Sequence, residues 1–315
     1  MHQSVLAVDA GQTGVRLRLH TPSGSPGSEN REAHPEIEFP GVRTAEPLAP
    51  QLAGMAASVL LRAGQDPAAV TLAIGTSGVA DVPGLAAALR QELGQAGTGP
   101  ERIIVAHDSV TSYLGALGDE SGVVVAAGTG AIIFGVGAER TARVDGWGYL
   151  MGDDGSGYSV GAQGWRAVMR HHDGRGPATA LTDDFRTDFP DLEAAYVQIQ
   201  ADPDRVRRMA SYSRRVTALA GTDQVAHGIA QWAGQELATS VATAAARVGL
   251  NHDVRVARLG KVLTDPTVDA AFREALGVHL PGAVLVEPEG SGLDGAALLA
   301  SLAPGSAVDA AVAHS

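Results

Sequence analysis

The chain opens on an apolar run, Val5 to Val8, that stops at Asp9. Ala10-Gly11-Gln12-Thr13-Gly14 follows as a turn, and Val15 to His20 then alternates apolar and polar residues. A continuous apolar run predicts a strand buried on both faces, and period two predicts one buried on a single face. Residues 5–20 therefore read as a hairpin. Residues 21–50, rich in Pro, Gly, Ser and Glu, read as a loop. Helical spacing follows over 51–63, then a short strand, Leu72-Ala73-Ile74, ending in Gly75-Thr76-Ser77-Gly78. A helix over 85–93 leads to the strand Ile103 to Ala106, which ends at His107-Asp108, and Val110 to Leu117 is the next helix.

The pattern then restarts. Gly122 to Ala127 is an apolar strand, Gly128-Thr129-Gly130 a tight turn, and Ala131 to Val136 a returning strand. This second hairpin lies a domain's length after the first, a spacing that suits duplicated halves better than a solenoid. Residues 171–215 are polar and read as a connector with short helices. His171, His172 and Asp173 suit a solvated loop better than a metal site, because neighbouring residues point in different directions. Apolar residues at 225, 229, 232, 237, 241, 245 and 248 mark a long amphipathic helix. Val254 to Leu259 is a strand, Asp265-Pro266 opens a helix as N-cap and first helical residue, and Val284 to Val286 is the last strand. Gly290-Ser291-Gly292 precedes a final helix, 295–303, and the tail from Pro304 is expected to fray. Strands alternating with helices give an α/β fold, and the hairpins make its sheets mixed.

Composition narrows the partners. The formal net charge of −12 gives no general attraction to nucleic acid or anionic membranes. An anionic ligand would have to find its positive field locally, in backbone N–H groups, helix N-termini or a metal ion. The absence of cysteine removes disulfides, thiolate zinc sites and Cys-held iron–sulfur clusters. The N-terminus lacks the charged and long apolar regions of a leader, and no run approaches a membrane span, so a cytoplasmic enzyme is expected.

Four features carry chemistry. The turns at 11–14 and 128–130 have little side chain, so their amides can approach phosphate oxygens, and Thr13 and Thr129 add hydroxyl donors. Each turn alone is also what an ordinary hairpin carries. Asp9 ends a buried strand, where a nearby Mg²⁺ would compensate its charge; a turn-initiating Asp is the plainer alternative. Asp108 ends another buried strand, where it can cap the next helix or accept a proton from an acceptor hydroxyl. The stretch from Asp145 to Tyr158 mixes glycines, aromatics and carboxylates in a way core packing does not require. It suits a ligand-facing loop in which Asp153 accepts sugar hydroxyls, while Asp154 complements a helix dipole.

Those residues resemble the BadF/BadG/BcrA/BcrD ATPase family, whose kinase members include N-acetylglucosamine kinases of the actin, hexokinase and heat-shock chaperone superfamily. Asp9 to Thr13 resembles the first phosphate motif and Gly128-Thr129-Gly130 the second. Asp145-Gly146-Trp147-Gly148 through Gly152-Asp153-Asp154-Gly155-Ser156-Gly157 closely resembles the signature segment. The resemblance implies duplicated actin-like (ribonuclease H-like) ATPase domains with mixed central sheets and an interdomain cleft. They would occupy residues 1–118 and 119–294, with a C-terminal helix at 295–315 packing back on the first. It implies ATP and Mg²⁺, a sugar or amino-sugar acceptor and a homodimer. By position it implies Asp108 as catalytic base and Asp9 as the carboxylate that orients the metal. Gly11, Gln12, Thr13, Gly128, Thr129 and Gly130 would contact phosphates. Gly260 and Lys261, with Gly290 to Ala297, would lie near the adenosine. Ser77, Gly78, Trp147, Gly148 and Asp153 would lie near the sugar.

Three departures stand out. No Asn occurs in Phe39 to Thr44, where amino-sugar kinases of this kind carry one; Ala131 replaces a usual Ser; Lys261 replaces a common second glycine. They leave the identity of the sugar open. Dehydratase activators of the same superfamily hold a cluster through Cys, which this chain lacks. A non-catalytic nucleotide-binding regulator is the other alternative.

Overall fold

The computed structural model describes residues 3–22, 31–95, 97 and 99–315. Met1, His2 and residues 23–30, part of the stretch read as a loop, lie outside them. Two compact units emerge: residues 1–121, 136–141 and 287–315 form the first, and residues 122–135 and 142–286 the second.

In the first unit β1 (Ser4–Ala10) and β2 (Val15–Pro22) form the expected hairpin, in antiparallel register from Val5 with His20 to Ala10 with Val15. Period two holds in β2: Val15, Leu17 and Leu19 are buried, whereas Arg16 and Arg18 lie on the other face. The stretch expected as a loop over 21–50 contains β3 (Arg31–Ala33) and β4 (Ile37–Phe39), which both pair with β2, and α1 (Leu48–Arg62) begins within it. Three-residue edge strands carry too little periodicity to stand out among Pro and Glu. β5 (Val70–Thr76), α2 (Val82–Gln95), β6 (Arg102–His107) and α3 (Asp108–Leu117) follow as expected, with longer ends.

In the second unit β7 (Gly122–Ala127) and β8 (Ala131–Val136) match the sequence reading, and β9 (Thr141–Asp145) adds a strand it did not contain. α4 (Gly157–His172) leads into α5 (Leu181–Phe185), α6 (Leu192–Ala201), α7 (Arg205–Ser211) and α8 (Ser213–Leu219). The stretch read as a polar connector with short helices does contain such helices, and they also supply core. Phe185, Phe189, Leu192, Tyr212 and Val216 are buried, and Trp165 of α4 stacks among Phe185, Phe189 and Tyr212. Each helix is too short for its periodicity to register. α9 (Gln224–Arg247) buries Ala226, Ala230, Ala233, Leu237, Val241 and Ala244. Small residues face inward because neighbours come close: a side chain on Gly135 would stand 3.2 Å from the Ala244 carbonyl. Val225, Ile229 and Trp232, which drew the helical pattern, are only half-buried. β10 (Arg255–Leu259), α10 (Pro266–His279) and β11 (Val284–Val286) complete a five-stranded sheet in the order β11-β10-β7-β8-β9. Asp265 caps α10 by accepting from the amides of Thr267 and Val268, as expected.

The chain then supplies α11 (Gly292–Leu298), a helical turn at Leu299–Ser301 and β12 (Val312–His314) to the first unit. The tail expected to fray instead pairs antiparallel with β6, and helix does not extend through 315 because Pro304-Gly305 interrupts it. The first sheet has seven strands in the order β12-β6-β5-β1-β2-β3, with β4 also on β2; β1, β5 and β6 run parallel. Leu6 and Val8 face the cluster that α1 and α2 cover, while Ala7 packs against Leu293 and Ala296 of α11. Covering both faces explains why β1 is apolar without alternation.

Candidate active site

The first unit gathers the carboxylates. Parallel register aligns Asp9 with Gly75 and Ala106, and Ala10 with Thr76 and His107. Asp9 and Asp108 thus emerge at the C-terminal edge of the same parallel strands, one strand apart. Ligands of open α/β sheets bind at that edge. Burial raises the Asp9 pKa above the usual carboxylate range, the bonded Arg16 guanidinium opposes the shift, and the negative charge of Asp108 adds to it. A side chain on Gly292 would stand 3.3 Å from the Asp9 carboxylate, so the start of α11 also borders this spot.

Asp108 is the first residue of α3, not its cap; His107 caps the helix by accepting from the Ser109 amide at 3.2 Å. The Asp108 side chain, a third exposed, is left free of that duty, with His107 Nδ1 2.8 Å from its Oδ1. Ser77 donates its amide to the Ala10 carbonyl at 3.0 Å, which ties the turn after β5 to the end of β1. Gly78, with φ at 71°, lies exposed beside Thr44.

The first turn is closed by the Gly11 amide donating to Gly14 at 3.0 Å, which leaves Gln12 and Thr13 exposed at its tip. Val42 donates back to Gly11, and a side chain on Gly41 would overlap the Gln12 carbonyl oxygen at 2.1 Å. The segment lacking the usual Asn thus lies flat against the turn. A cavity of about 380 Å³ opens here, lined by Asp9, Gly11, Thr13, Arg16 and Glu38 among others.

In the second unit the Gly128 amide donates to Gly130 at 2.9 Å, leaving Gly128 and Thr129 exposed. α4 begins against this turn: the amides of Gly157 and Tyr158 donate to the carbonyls of Gly128 and Thr129 at 2.8 and 3.0 Å. Gly260, with φ at 87°, lies under the turn's base, where a side chain would stand 2.2 Å from the Ala127 carbonyl oxygen; Lys261 beside it is exposed.

The signature segment is tied from within. Asp145 and Asp153 hold positive φ, 57° and 61°, a region that Asp tolerates better than most residues. The Asp145 carboxylate accepts from the amides of Asp153 and Asp154 at 2.8 and 2.9 Å. Asp153 is 8% exposed, accepts from the amides of Gly148 and Ala131, and approaches Gly130. Burial raises its pKa, the Asp145 charge adds to the shift, and the two amides oppose it. Its carboxylate joins the loop to the second turn. Trp147 and Gly148 are exposed, with the Arg143 guanidinium 4.2 Å above the Trp147 ring.

The sequence reading gave no role to Arg16, Gly41 or His107, and named Asp145 only as the head of the signature segment. The first three left a trace: a cation opposite Asp9 across a hairpin, a glycine after Pro40, a polar residue before a helix. Among the described residues no group of three or more His, Cys, Asp or Glu side chains forms a metal cage. His171 instead meets Thr182 Oγ1 at 2.7 Å, His172 meets Glu193 at 3.3 Å, and Asp173 pairs with Arg175.

The family model described as the BadF/BadG/BcrA/BcrD ATPase family matches residues 6–300, which covers both turns, both acids and the signature segment. The chain belongs to that family. It is 30% identical over 206 residues to an N-acetylmuramic acid/N-acetylglucosamine kinase of Clostridium acetobutylicum, covering 63% of this chain and 67% of the relative. It is 45% identical over 69 residues to an N-acetyl-D-glucosamine kinase of Dictyostelium discoideum, 22% of each chain. A solved structure from Chromobacterium violaceum, described as a candidate N-acetylglucosamine kinase, superposes with a TM-score of 0.69 at 25% identity over 94% of this chain and 98% of that one. Schistosoma mansoni hexokinase with glucose gives a TM-score of 0.58 at 13% identity over 93% and 84%, which shows the shared fold. The chain thus has the two mixed sheets of the actin-like sugar-kinase fold.

Proposed function

We propose that this ATPase-family chain is an ATP-dependent kinase of a sugar or amino sugar. The observation that carries the reading is the pair Asp9 and Asp108 on one edge of parallel strands, beside a glycine turn whose tip is open. The kinase activities of the relatives support the acceptor class.

Phosphoryl transfer needs positioned charge rather than covalent chemistry. Asp108 is proposed as the base that orients the acceptor hydroxyl and accepts its proton. His107 frees it by taking over the helix cap. Gln12 and Thr13 of the first turn, and Gly128 and Thr129 of the second, are proposed to grip phosphate oxygens through amides and hydroxyls. Gly260 and Lys261 are proposed to border the nucleotide, and Ser77, Gly78, Trp147, Gly148 and Asp153 the sugar.

The residues around Asp9 fit Mg²⁺. A largely buried carboxylate with a raised pKa, beside a second acid, lacks compensating charge beyond Arg16. One or two carboxylates with phosphates and waters are what this ion accepts. Magnesium held by Asp9 would supply positive charge against the phosphates.

The test is ADP release across glucosamine, N-acetylglucosamine, N-acetylmuramic acid and glucose. Release that depends on a sugar supports the reading. Release at the same rate with every acceptor and with none overturns it.

A further inference from the structure

One face of α4 carries Ala162, Trp165, Arg166, Met169 and Arg170, at helical spacings of three and four. With α6 and α7 that face encloses a cavity of about 610 Å³ in the second unit, a volume typical of small-molecule sites. Its lining includes Trp165 and Met169, and Tyr149 and Tyr158, whose ring centroids are 4.8 Å apart. Four arginines line it, Arg166, Arg170, Arg175 and Arg205, and no Asp or Glu does. In a chain of net charge −12, four cations around one hollow run against the average.

The arginines are not equivalent. Arg175 is paired with Asp173 at 2.6 Å, and Arg170 donates to the Arg175 carbonyl at 2.9 Å. Arg166 and Arg205 make no ion pair among the described residues, and both guanidinium charges act on the Tyr158 phenol. A planar guanidinium presents a donor fork that fits a carboxylate or phosphate, and a tyrosine beside it offers a face to a ring. The indole N–H of Trp165, a residue of the lining, is buried without a hydrogen-bond partner.

The cavity adjoins the signature loop. Tyr149 directly follows Trp147 and Gly148, which are proposed to meet the sugar, and the Tyr158 amide donates to the Thr129 carbonyl of the second turn. We infer that this cavity is a subsite for an anionic oxygen group carried on a carbohydrate, held by Arg166 and Arg205. The inference rests on the sugar-kinase reading for the ligand's ring but not for its charge. Two sources share this chemistry: an acidic substituent on the sugar substrate, or a separate sugar phosphate.

Isothermal titration without nucleotide tests it, using N-acetylmuramic acid, N-acetylglucosamine 6-phosphate and neutral N-acetylglucosamine on the wild-type chain and on R166Q/R205Q. The expected result is that an anionic sugar binds more tightly than the neutral one and loses about tenfold or more in the double variant, the scale of a lost charge-assisted bond. The neutral sugar should shift far less. If the tight binder is N-acetylmuramic acid and it is also phosphorylated, the anion belongs to the substrate; if only the sugar phosphate gains, it is a separate ligand. Anionic and neutral sugars binding alike, or losing alike in the variant, would overturn the inference. Should the double variant misfold, a salt titration of the wild type decides: raised salt must weaken the anionic sugar selectively. Because nucleotide is absent, the result stands whatever the ADP-release assay gives.

Discussion

Asp108 is a small change away from being ordinary. Had it capped α3, its carboxylate would be occupied by the amide of Val110 or Thr111; His107 is the cap instead, so the acid is not tied up in that role. Replacing it by Asn keeps the shape and removes the base. Turnover should fall by roughly 10²–10⁴ with the melting temperature nearly unchanged, as steady-state kinetics and thermal melts would check. Asp9 makes a different prediction. Its folded pKa is raised, chiefly by burial, so the folded chain holds that proton more tightly than the unfolded chain does. Stability from this group is full at low pH and is lost as pH rises from the ordinary carboxylate range through the raised value. Above that window Asp9→Asn should melt no lower than wild type without ligands, the gap should widen in its favour from pH 4 to pH 7.5, and activity should be lost. A variant that melts well below wild type at pH 7.5 would contradict this. Both acids were visible in sequence as polar ends of apolar strands. The charge of Asp108 acting on Asp9 was not, because it depends on the register of three strands.

Both hairpins were legible because each is local: a strand, a glycine turn and a returning strand within some fifteen residues. The supports of those turns were not, since they arrive from far along the chain. Gly41 lies on the Gln12–Thr13 peptide and Gly260 on the Ala127–Gly128 peptide, each where a side chain would collide with backbone. Gly41→Ala must therefore move the first turn. Displacement on the ångström scale can cost about 10²-fold in rate, so kcat/KM for ATP should fall toward that extent while the fold persists, as kinetics with circular dichroism would show. The crossing of α3 and α11 obeys the same logic. A side chain on Gly115 would stand 1.9 Å from the Ser291 carbonyl oxygen, and one on Gly295 1.8 Å from that of Thr111. Gly115→Ala should destabilise the chain by about 1–3 kcal/mol in urea unfolding, the usual cost of overpacking. β12 escaped the sequence reading, and the short helices expected over 171–215 were not seen as core, for a different reason. Their apolar residues are few per element and acquire meaning only once the elements pack together.

Across the whole molecule, duplication of the hairpin pattern and the Trp147-to-Gly157 string were enough to suggest the family, and the match over residues 6–300 establishes it. No helix among the described residues is long and apolar enough to cross a membrane. What the sequence left open was the acceptor, because sugar recognition depends on where loops end up and not on what they contain. The most direct measurement is ³¹P nuclear magnetic resonance of a reaction holding the chain, Mg²⁺, ATP and an amino sugar. A new sugar-phosphate resonance should grow as the γ-phosphate signal decays, slowed by orders of magnitude in Asp108→Asn. Decay to inorganic phosphate alone, at the same rate in both proteins, would contradict it.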